Sequence, residues 1–69
     1  MATIDDPLVA KLVCRLSDAD SSVRRNAAGA LRLLGRRASA ALEALAQRTA
    51  DEDPRVRSEA ARALQRLSS

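Results

Sequence analysis

The chain contains two copies of one sequence unit, and this duplication constrains its fold more than any other feature. When the 69-residue sequence is aligned with itself at an offset of 33 residues, eleven positions carry the same residue in both copies. The shared pattern Asp-x-Asp-x-x-Val-Arg-x-x-Ala-Ala-x-Ala-Leu-x-x-Leu begins at Asp18 and again at Asp51, without a gap. A fixed period of about 20 to 50 residues is typical of stacked supersecondary units. We therefore predict one domain over residues 1–69, with repeat one at about 6–35 and repeat two at about 38–68.

Each repeat is predicted to form two helices joined by a tight turn. In repeat one, Asp6 and Pro7 have the residue types of a helix N-cap and a first helical position. Leucines and valines at 8, 9, 12, 13 and 16 follow at helical spacing. Asp20 is predicted to cap a second helix over about residues 21–34, and Gly35 to end it in a left-handed conformation. No segment has the alternating pattern of a strand.

A helical wheel predicts which side of each helix is buried. In the second helix, Val23, Ala27, Ala30 and Leu34 form a narrow stripe, with Leu31 at its edge. Repeat two follows the same plan, with a third helix at about 38–49 and a last helix at about 54–67 that begins after Asp53. The third helix is predicted to bury Ala41, Leu42, Leu45 and Ala46, and the last helix Val56, Ala60, Ala63, Leu64 and Leu67.

The residue types required for catalysis and cofactor binding are scarce. The chain has no His, one Cys and two Gly. It therefore lacks the commonest general base, cannot form a thiolate zinc site, and has no glycine-rich loop that could hold a phosphate. We predict that the protein is not an enzyme and that it has no cofactor and no metal.

A calcium loop is the one metal-site pattern that the sequence suggests. Asp18, Asp20 and Ser22 have the spacing of the first three ligands of such a loop. The sixth and twelfth positions are Val23 and Gly29, where a glycine and a bidentate glutamate are required. The acidic residues are better explained as helix caps and turn residues, because negative charge near a helix N-terminus is stabilised by the helix dipole.

The chain resembles the HEAT repeat, and more narrowly the HEAT-like repeat named after phycobilisome lyases. The resemblance rests on the pattern from Leu12 to Gly35, which recurs from Leu45 to Ser68, where Ser replaces the final Gly. A tetratricopeptide repeat lacks support because its large aromatic positions are absent, and an ankyrin repeat because no Thr-Pro-Leu-His turn occurs. The resemblance implies an all-α fold, an α-α superhelix (HEAT-like solenoid) fragment of two helical hairpins with four antiparallel helices.

The resemblance also assigns structural and binding roles to charged residues. The turn aspartate and the arginine after it are implied to form a structural ladder, with Asp18 holding Arg24 in repeat one and Asp51 with Arg57 in repeat two. The outward side of each second helix is implied to line a concave surface. We expect the polar residues on that side to bind an acidic partner or a phosphate backbone, or else to be a solvated helix face: Arg25, Arg32, Arg36, Arg62 and Gln65.

Differences between the two copies indicate which faces are covered. Leu33 and Asn26 are replaced by Arg66 and Glu59 in repeat two. We predict that this flank of the second helix packs on repeat two, whereas the same flank of the last helix faces solvent as a polar cap.

The first helix suggests a surface for self-association. Ala10 and Cys14 stand where the third helix has Glu43 and Gln47, so this side of repeat one is more apolar than its counterpart. Uncovered apolar patches mark interfaces, although small neutral residues are also compatible with a simple surface. Two repeats are fewer than the roughly three that a solenoid needs for independent stability, and a homo-oligomer would supply the missing contacts.

We predict a non-enzymatic protein-protein interaction scaffold module, self-associating through exposed repeat faces. The alternatives are weak nucleic-acid binding through a basic concave face, or an accessory role related to bilin lyases. Nucleic-acid binding is disfavoured by a net charge of only +3 and by the absence of aromatic residues for base stacking. No apolar run approaches the length of a membrane span, so no membrane partner and a cytoplasmic location are expected.

Overall fold

The fold is built from helices in the order that the repeat predicts. A computed structural model describes residues 5–68. Four α-helices and one 3-10 helix occur in this range, and no strand does. They are α1 (Pro7–Arg15), α2 (Ser21–Leu34), the 3-10 helix (Gly35–Ala41), α3 (Leu42–Arg48) and α4 (Pro54–Leu67). The all-α, HEAT-like fold expected from the sequence is thereby confirmed.

Three aspartates define where the longer helices begin. The backbone N–H of Leu8 donates to the Asp6 carboxylate at 3.0 Å, and that of Ser22 donates to Asp20 at 2.8 Å. Asp53 accepts from the N–H of Arg55 at 2.8 Å in the same way. Each side chain satisfies one of the donors that a helix N-terminus leaves free. The predicted caps are confirmed at all three helices.

Gly35 ends α2 in a conformation that only glycine adopts readily. Its φ is +59° and its ψ is −138°, and it is the one positive-φ residue in the described range. The positive φ was predicted, but the ψ lies outside the left-handed helical region.

The segment after Gly35 differs from the prediction of a regular helix over 38–49. The chain first forms the 3-10 helix, Ala38 has non-helical backbone angles, and α3 becomes regular only at Leu42. No side chain caps the start of either element. Ala38 and Ala41 are fully buried, so core packing rather than capping determines the path of this segment.

The core is made of alanines and branched aliphatic side chains, with α2 and α4 in the most extensive contact. Small side chains let these helices approach closely, while the leucines supply most of the buried area. The buried cluster contains Val9, Leu12, Leu16, Ala27, Ala28, Leu31, Ala38, Ala41, Leu45, Ala60, Ala63 and Leu67.

The buried side of α2 is rotated from the predicted stripe. Ala27 is buried as predicted, and Ala28 and Leu31 are fully buried. The other members of the predicted stripe are only half-buried: Val23, Ala30 and Leu34. The wheel of one helix reports its apolar side but not which neighbour covers it. Because α4 packs on one side of α2, burial shifts toward that side.

Predictions for the other helices have mixed outcomes. In α4, Val56, Ala60, Ala63 and Leu67 are buried as predicted, and Leu64 is half-buried. Of the residues predicted to be buried by the third helix, Ala41 at the end of the 3-10 helix and Leu45 of α3 are buried and Leu42 is half-buried. Ala46 is exposed, which contradicts the prediction. Leu8, at the start of α1, is 43% exposed.

The predicted packing of the Asn26 and Leu33 flank onto repeat two is wrong. Leu33 is 78% exposed and Asn26 is exposed. Glu59, predicted to face solvent, is instead mostly buried beside Arg32 of α2. The comparison of the copies identified the substituted positions correctly, but sequence alone does not give the side on which the next repeat stacks.

Among residues 5–68, no helix has both the length and the apolarity needed to cross a membrane.

Candidate functional site

An ion pair between Arg24 and Asp51 joins the two repeats. The Arg24 Nε donates to one Asp51 carboxylate oxygen at 2.8 Å, and Nη2 donates to the other at 3.1 Å. The two side chains are only 7% and 2% exposed. A bidentate arginine–carboxylate contact of this kind defines the relative position of its partners as well as stabilising them. The pair therefore sets how repeat two stacks on repeat one.

The remaining edge of the Arg24 guanidinium is held by its own repeat. Its Nη1 donates to the backbone carbonyl oxygens of Asp18 at 2.8 Å and Ala19 at 3.0 Å. The predicted hold of Asp18 on Arg24 is thus made by the Asp18 main chain. Its carboxylate instead accepts from the N–H of Asp20 at 2.8 Å. Asp18 therefore contacts Arg24 through its main chain alone, and the carboxylate that Arg24 reaches belongs to the next repeat.

The hydrogen bonds that Arg24 and Asp18 make within repeat one recur at the equivalent residues of repeat two. Arg57 Nη1 donates to the carbonyl oxygens of Asp51 at 2.8 Å and Glu52 at 3.1 Å. The Asp51 carboxylate accepts from the N–H of Asp53 at 2.9 Å, as Asp18 does from Asp20. Within residues 5–68, however, Nε and Nη2 of Arg57 have no hydrogen-bond partner, and no cation pairs with the Asp18 carboxylate.

The ion pair changes the acidity of its carboxylate. The hydrogen bonds from Arg24 lower the pKa of Asp51 below its ordinary value, against an opposing effect of burial. Asp51 raises the pKa of Arg24 in return. Arg48 reinforces the effect from the same repeat, since its Nη1 lies 3.4 Å from an Asp51 oxygen. Asp51 therefore keeps its charge in the folded protein to lower pH than an ordinary aspartate does.

Two other aspartates also have lowered pKa values. Arg37 donates to Asp6 at 2.7 Å, which lowers the pKa of that carboxyl and ties the 3-10 helix to the start of α1. Hydrogen bonds from Arg55 lower the pKa of Asp53. Both aspartates are helix N-caps, so the negative charge also lies where the helix dipole favours it.

A groove on repeat one leaves two apolar side chains half-buried whose equivalents in repeat two are fully buried. We call it the first-repeat face; it is lined by Leu12, Arg15, Asp18, Val23, Asn26, Ala27 and Ala30. The residues equivalent to its apolar members are Leu45, Val56, Ala60 and Ala63, all fully buried. In repeat one, Leu12 and Ala27 are buried as well, whereas Val23 and Ala30 remain half-buried among the described residues.

The residues equivalent to the polar members of this face all take part in ionic contacts. Asp51 pairs with Arg24, Arg48 approaches Asp51, and Glu59 lies beside Arg32. The first-repeat face therefore has the shape and residue types of a repeat–repeat junction, without a second repeat on it in the described structure.

Ala10 and Cys14, predicted to take part in self-association, lie on α1 beside this face. Ala10 is half-buried, and Cys14 is an exposed free cysteine. Their counterparts Glu43 and Gln47 line a groove that α3 shares with Val13 of α1. The equivalence places Ala10 and Cys14 on the side of α1 that a preceding repeat would approach, and their role stays a prediction.

A second groove runs between α2 and α4 and contains part of the predicted contact row. Arg25, Arg32 and Arg62 line this α2–α4 groove, whereas Arg36 and Gln65 do not. The groove is open and has a volume of about 720 Å³. Sequence reasoning missed two further members of its wall, Arg55 and the exposed Leu33. Arg55 could have been found, because it is seven residues before Arg62 and therefore on the same side of α4.

Arg32 is already engaged within the chain. Its Nε lies 3.3 Å from the Glu59 Oε1, and both atoms are buried without hydrogen-bond geometry. Gly29 allows this approach, since a Cβ at that position would lie 3.2 Å from the Glu59 Oε2. The cations that the groove leaves for a partner are therefore Arg25 and Arg62, with Arg55 shared with Asp53.

Over residues 5–68, no group of three or more His, Cys, Asp or Glu side chains could hold a metal ion. The Asp18 and Asp20 side chains accept backbone N–H groups at the α1–α2 turn, which is the structural role weighed against a calcium loop.

Comparison with known proteins places the chain among helical repeats. A model of the family HEAT repeats matches residues 6–69, nearly the whole chain. No curated protein matches the chain, and no solved structure does. The narrower resemblance to the phycobilisome-lyase type stays a prediction. HEAT repeats generally mediate protein–protein interaction and are typically non-enzymatic scaffolds. On the family match over residues 6–69, the chain belongs to the HEAT repeat family.

Proposed function

We propose that the chain is a non-enzymatic scaffold module that binds proteins, including further copies of itself, through its exposed repeat faces. The observation that supports this most directly is the first-repeat face, where Val23 and Ala30 are half-buried although their equivalents in repeat two are fully buried. Uncovered apolar surface with a polar rim is characteristic of interaction sites. Its cover in the internal junction is another repeat of the same kind, so a second copy supplies a fitting partner.

The small core gives a physical reason for association. The protein has no aromatic side chains, and a domain of this size buries a smaller fraction of its surface than a larger one. Covering Val23 and Ala30 would add apolar burial without any new fold. Association would then raise the melting temperature as protein concentration rises, because a partner that binds only the folded state stabilises it.

The variant Ala30→Glu tests self-association through the first-repeat face. Alanine and glutamate are both good helix formers. The helix α2 should therefore be retained while a negative charge is placed in the first-repeat face. In sedimentation-velocity measurements from micromolar to millimolar protein, we expect the wild-type average mass to rise with concentration. We expect the variant to need at least about tenfold more protein for the same rise, equivalent to about 1.4 kcal/mol.

Ala40→Glu is the matched control, because Ala40 is exposed and lines neither the first-repeat face nor the α2–α4 groove. It should associate as the wild type does. A wild-type protein that stays monomeric over the whole concentration range would contradict self-association, although binding to other proteins would still be open.

The α2–α4 groove supports a second proposal, the binding of an acidic protein segment. Arg25 and Arg62 lie on its walls, and Leu33 is 78% exposed beside them. This combination suits a partner that carries both carboxylates and an apolar side chain. Glu59 occupies the floor beside Arg32, which favours a protein segment over a continuous phosphate backbone.

The variant Arg62→Glu tests this groove with a fluorescently labelled poly-glutamate peptide as the probe. We expect its affinity for the peptide to fall by about three- to tenfold relative to the wild type, since close charge pairs at interfaces contribute to binding. The melting temperature should stay nearly unchanged because Arg62 is exposed. Arg32→Glu is unsuitable, because it would place a second carboxylate beside Glu59.

Lys11→Glu makes the same change of charge on α1, outside the groove, and controls for the net charge. Equal losses in the two variants would contradict a specific groove. Tighter binding of a single-stranded oligonucleotide than of the peptide, lost in Arg62→Glu, would favour the nucleic-acid alternative. Retention of a bilin after mixing, seen as visible absorbance, would favour the accessory role related to bilin lyases.

A further inference from the structure

An arginine and an aspartate form the ion pair at the junction between the two repeats. Each has an equivalent in the other repeat, and within residues 5–68 these two equivalents are not paired with each other. Arg24 of repeat one holds Asp51 of repeat two. At the offset of 33 residues, Arg24 corresponds to Arg57 and Asp51 corresponds to Asp18. Arg57 and Asp18 do not pair with each other in the described structure. Each repeat therefore presents one half of the contact that joins repeat one to repeat two.

Both halves are already oriented as in the joined pair. Arg57 Nη1 donates to two turn carbonyl oxygens at 2.8 and 3.1 Å, and Arg24 Nη1 does so at 2.8 and 3.0 Å. The Asp18 carboxylate accepts from an N–H two residues later at 2.8 Å, and the Asp51 carboxylate does so at 2.9 Å. Because the side chains are held in place before binding, little conformational entropy is lost when they meet.

The apolar residues around these halves also recur. In α2, Ala28 and Leu31 are fully buried beneath repeat two. Their counterparts in α4 are Ala61, which is exposed, and Leu64, which is half-buried. We call Arg57, Ala61, Leu64 and Gln65 the second-repeat face. It carries the side chains that the first-repeat face would meet if the internal junction were repeated.

The remaining polar contacts are compatible with such a junction. Where Arg32 meets Glu59 inside the chain, a junction between copies would bring Gln65 to Asn26, two amides that can hydrogen-bond to each other. Arg62 stands at the position of Gly29, but Asn26 is shorter than Glu59 by one methylene. The Arg62 side chain is exposed, so it can bend away from the contact.

We infer that copies of this chain stack head to tail, with the second-repeat face of one copy against the first-repeat face of the next, and that the Arg57–Asp18 ion pair between chains determines this polarity. The inference rests on the proposed self-association and adds its geometry. A contact between two different faces leaves one of each free, so it builds open chains of copies, or rings where the rotation closes, rather than two-fold dimers.

Charge makes the polarity selective. A first-repeat face placed on another first-repeat face would bring in no Arg57 for either Asp18. Two second-repeat faces would likewise have arginines without a carboxylate. Two facing second-repeat faces would bury unpaired arginines, which is costly. Two facing first-repeat faces would offer each Asp18 only Arg15 in place of a bidentate contact with Arg57. Both symmetric arrangements are therefore disfavoured relative to the head-to-tail one. The preference for the head-to-tail contact therefore comes from the ion pair that the symmetric contacts cannot form.

Complementary charge reversal tests the arrangement. In Asp18→Arg, the first-repeat face would present an arginine to Arg57 of the next copy, and in Arg57→Asp, two carboxylates would face each other. Each variant alone should therefore associate about thirtyfold or more weakly than the wild type in sedimentation velocity. An equal mixture should regain association, because the arginine introduced in one variant can pair with the aspartate introduced in the other, and alternate junctions keep the original pair.

The outcomes separate the inference from the proposed function. A wild-type protein that never associates overturns the proposed self-association, and the inference with it. A wild type that associates, together with single variants that associate equally well or a mixture that stays monomeric, overturns the head-to-tail geometry alone. Recovery in the mixture also shows that both variants are folded.

Asp18→Asn provides a milder test in case a charge reversal prevents folding. An asparagine side-chain oxygen can still accept from the Asp20 N–H, so the turn should be retained, as checked by circular dichroism. We expect association to weaken by at least about tenfold through the loss of the charge opposite Arg57. Unchanged association of this folded variant would also overturn the inference.

Discussion

Replacing Asp51 by Asn is expected to destabilise the protein by about 2 to 3 kcal/mol. The buried guanidinium of Arg24 would lose its bidentate carboxylate and keep only Glu52, an exposed side chain 3.9 Å away. For a domain of this size, the destabilisation corresponds to a fall in melting temperature of roughly 10 to 20 °C. Thermal unfolding followed by circular dichroism in dilute solution measures the change.

The internal repeat supplies a matched control for this substitution. Asp18→Asn makes the same chemical change at the equivalent turn, where no arginine pairs with the carboxylate in the described structure. It should lower stability by less than about 0.5 kcal/mol. Equal effects of the two substitutions would mean that the turn, rather than the ion pair between repeats, carries the stability.

The same pair predicts how stability depends on pH. The pKa of Asp51 is lowered in the folded state, so its contribution to stability is fully present above the unfolded value of about 3.9 and is lost as the pH falls below it. The melting temperature of the wild type should therefore decrease when the pH is lowered below about 4. Asp51→Asn should show a shallower fall, with a remainder from Asp6 and Asp53, whose pKa values are also lowered.

Truncating Leu31 is the second substitution with a large expected effect. Leu31 is fully buried on the side of α2 that faces repeat two, and it is among the largest buried side chains. Leu31→Ala should cost about 2 to 5 kcal/mol, from lost apolar burial and the cavity left behind. In a small domain of marginal stability, this loss can unfold much of the population at ambient temperature. Urea unfolding in dilute solution measures it.

Two less buried leucines provide comparisons for Leu31→Ala. Leu33 lies in the same helix but is 78% exposed, so Leu33→Ala should change stability by less than about 0.5 kcal/mol. Leu64, the equivalent of Leu31 in repeat two, is half-buried, and its truncation should fall between the other two. An order of effects that does not follow burial would contradict the described core.

Local features were predictable from the sequence because they depend on neighbours in the chain. Asp6, Asp20 and Asp53 act as N-caps within two residues of their partners, and α2 and α4 have the predicted bounds. The start of α3 was not predictable in the same way. Its 3-10 segment has no side-chain cap and is held by the burial of Ala38 and Ala41.

The candidate interaction surfaces were only partly predictable. The row of arginines was found from the wheel, yet Arg32 proved to be beside Glu59, and Arg36 and Gln65 lie outside the α2–α4 groove. The wheel gives the angle of a residue on one helix. The position of the neighbouring helix, which decides whether that residue faces a groove or a partner, depends on how repeats stack.

The sequence by itself determined that the protein is a pair of helical HEAT repeats, because a 33-residue period with caps and apolar spacing is written along the chain. Only the tertiary structure decided that Arg24 reaches across to Asp51 rather than to the Asp18 carboxylate. It also showed which apolar residues of repeat one remain open. Both depend on the side on which one repeat stacks on the other, and that side is determined by packing between residues far apart in the chain.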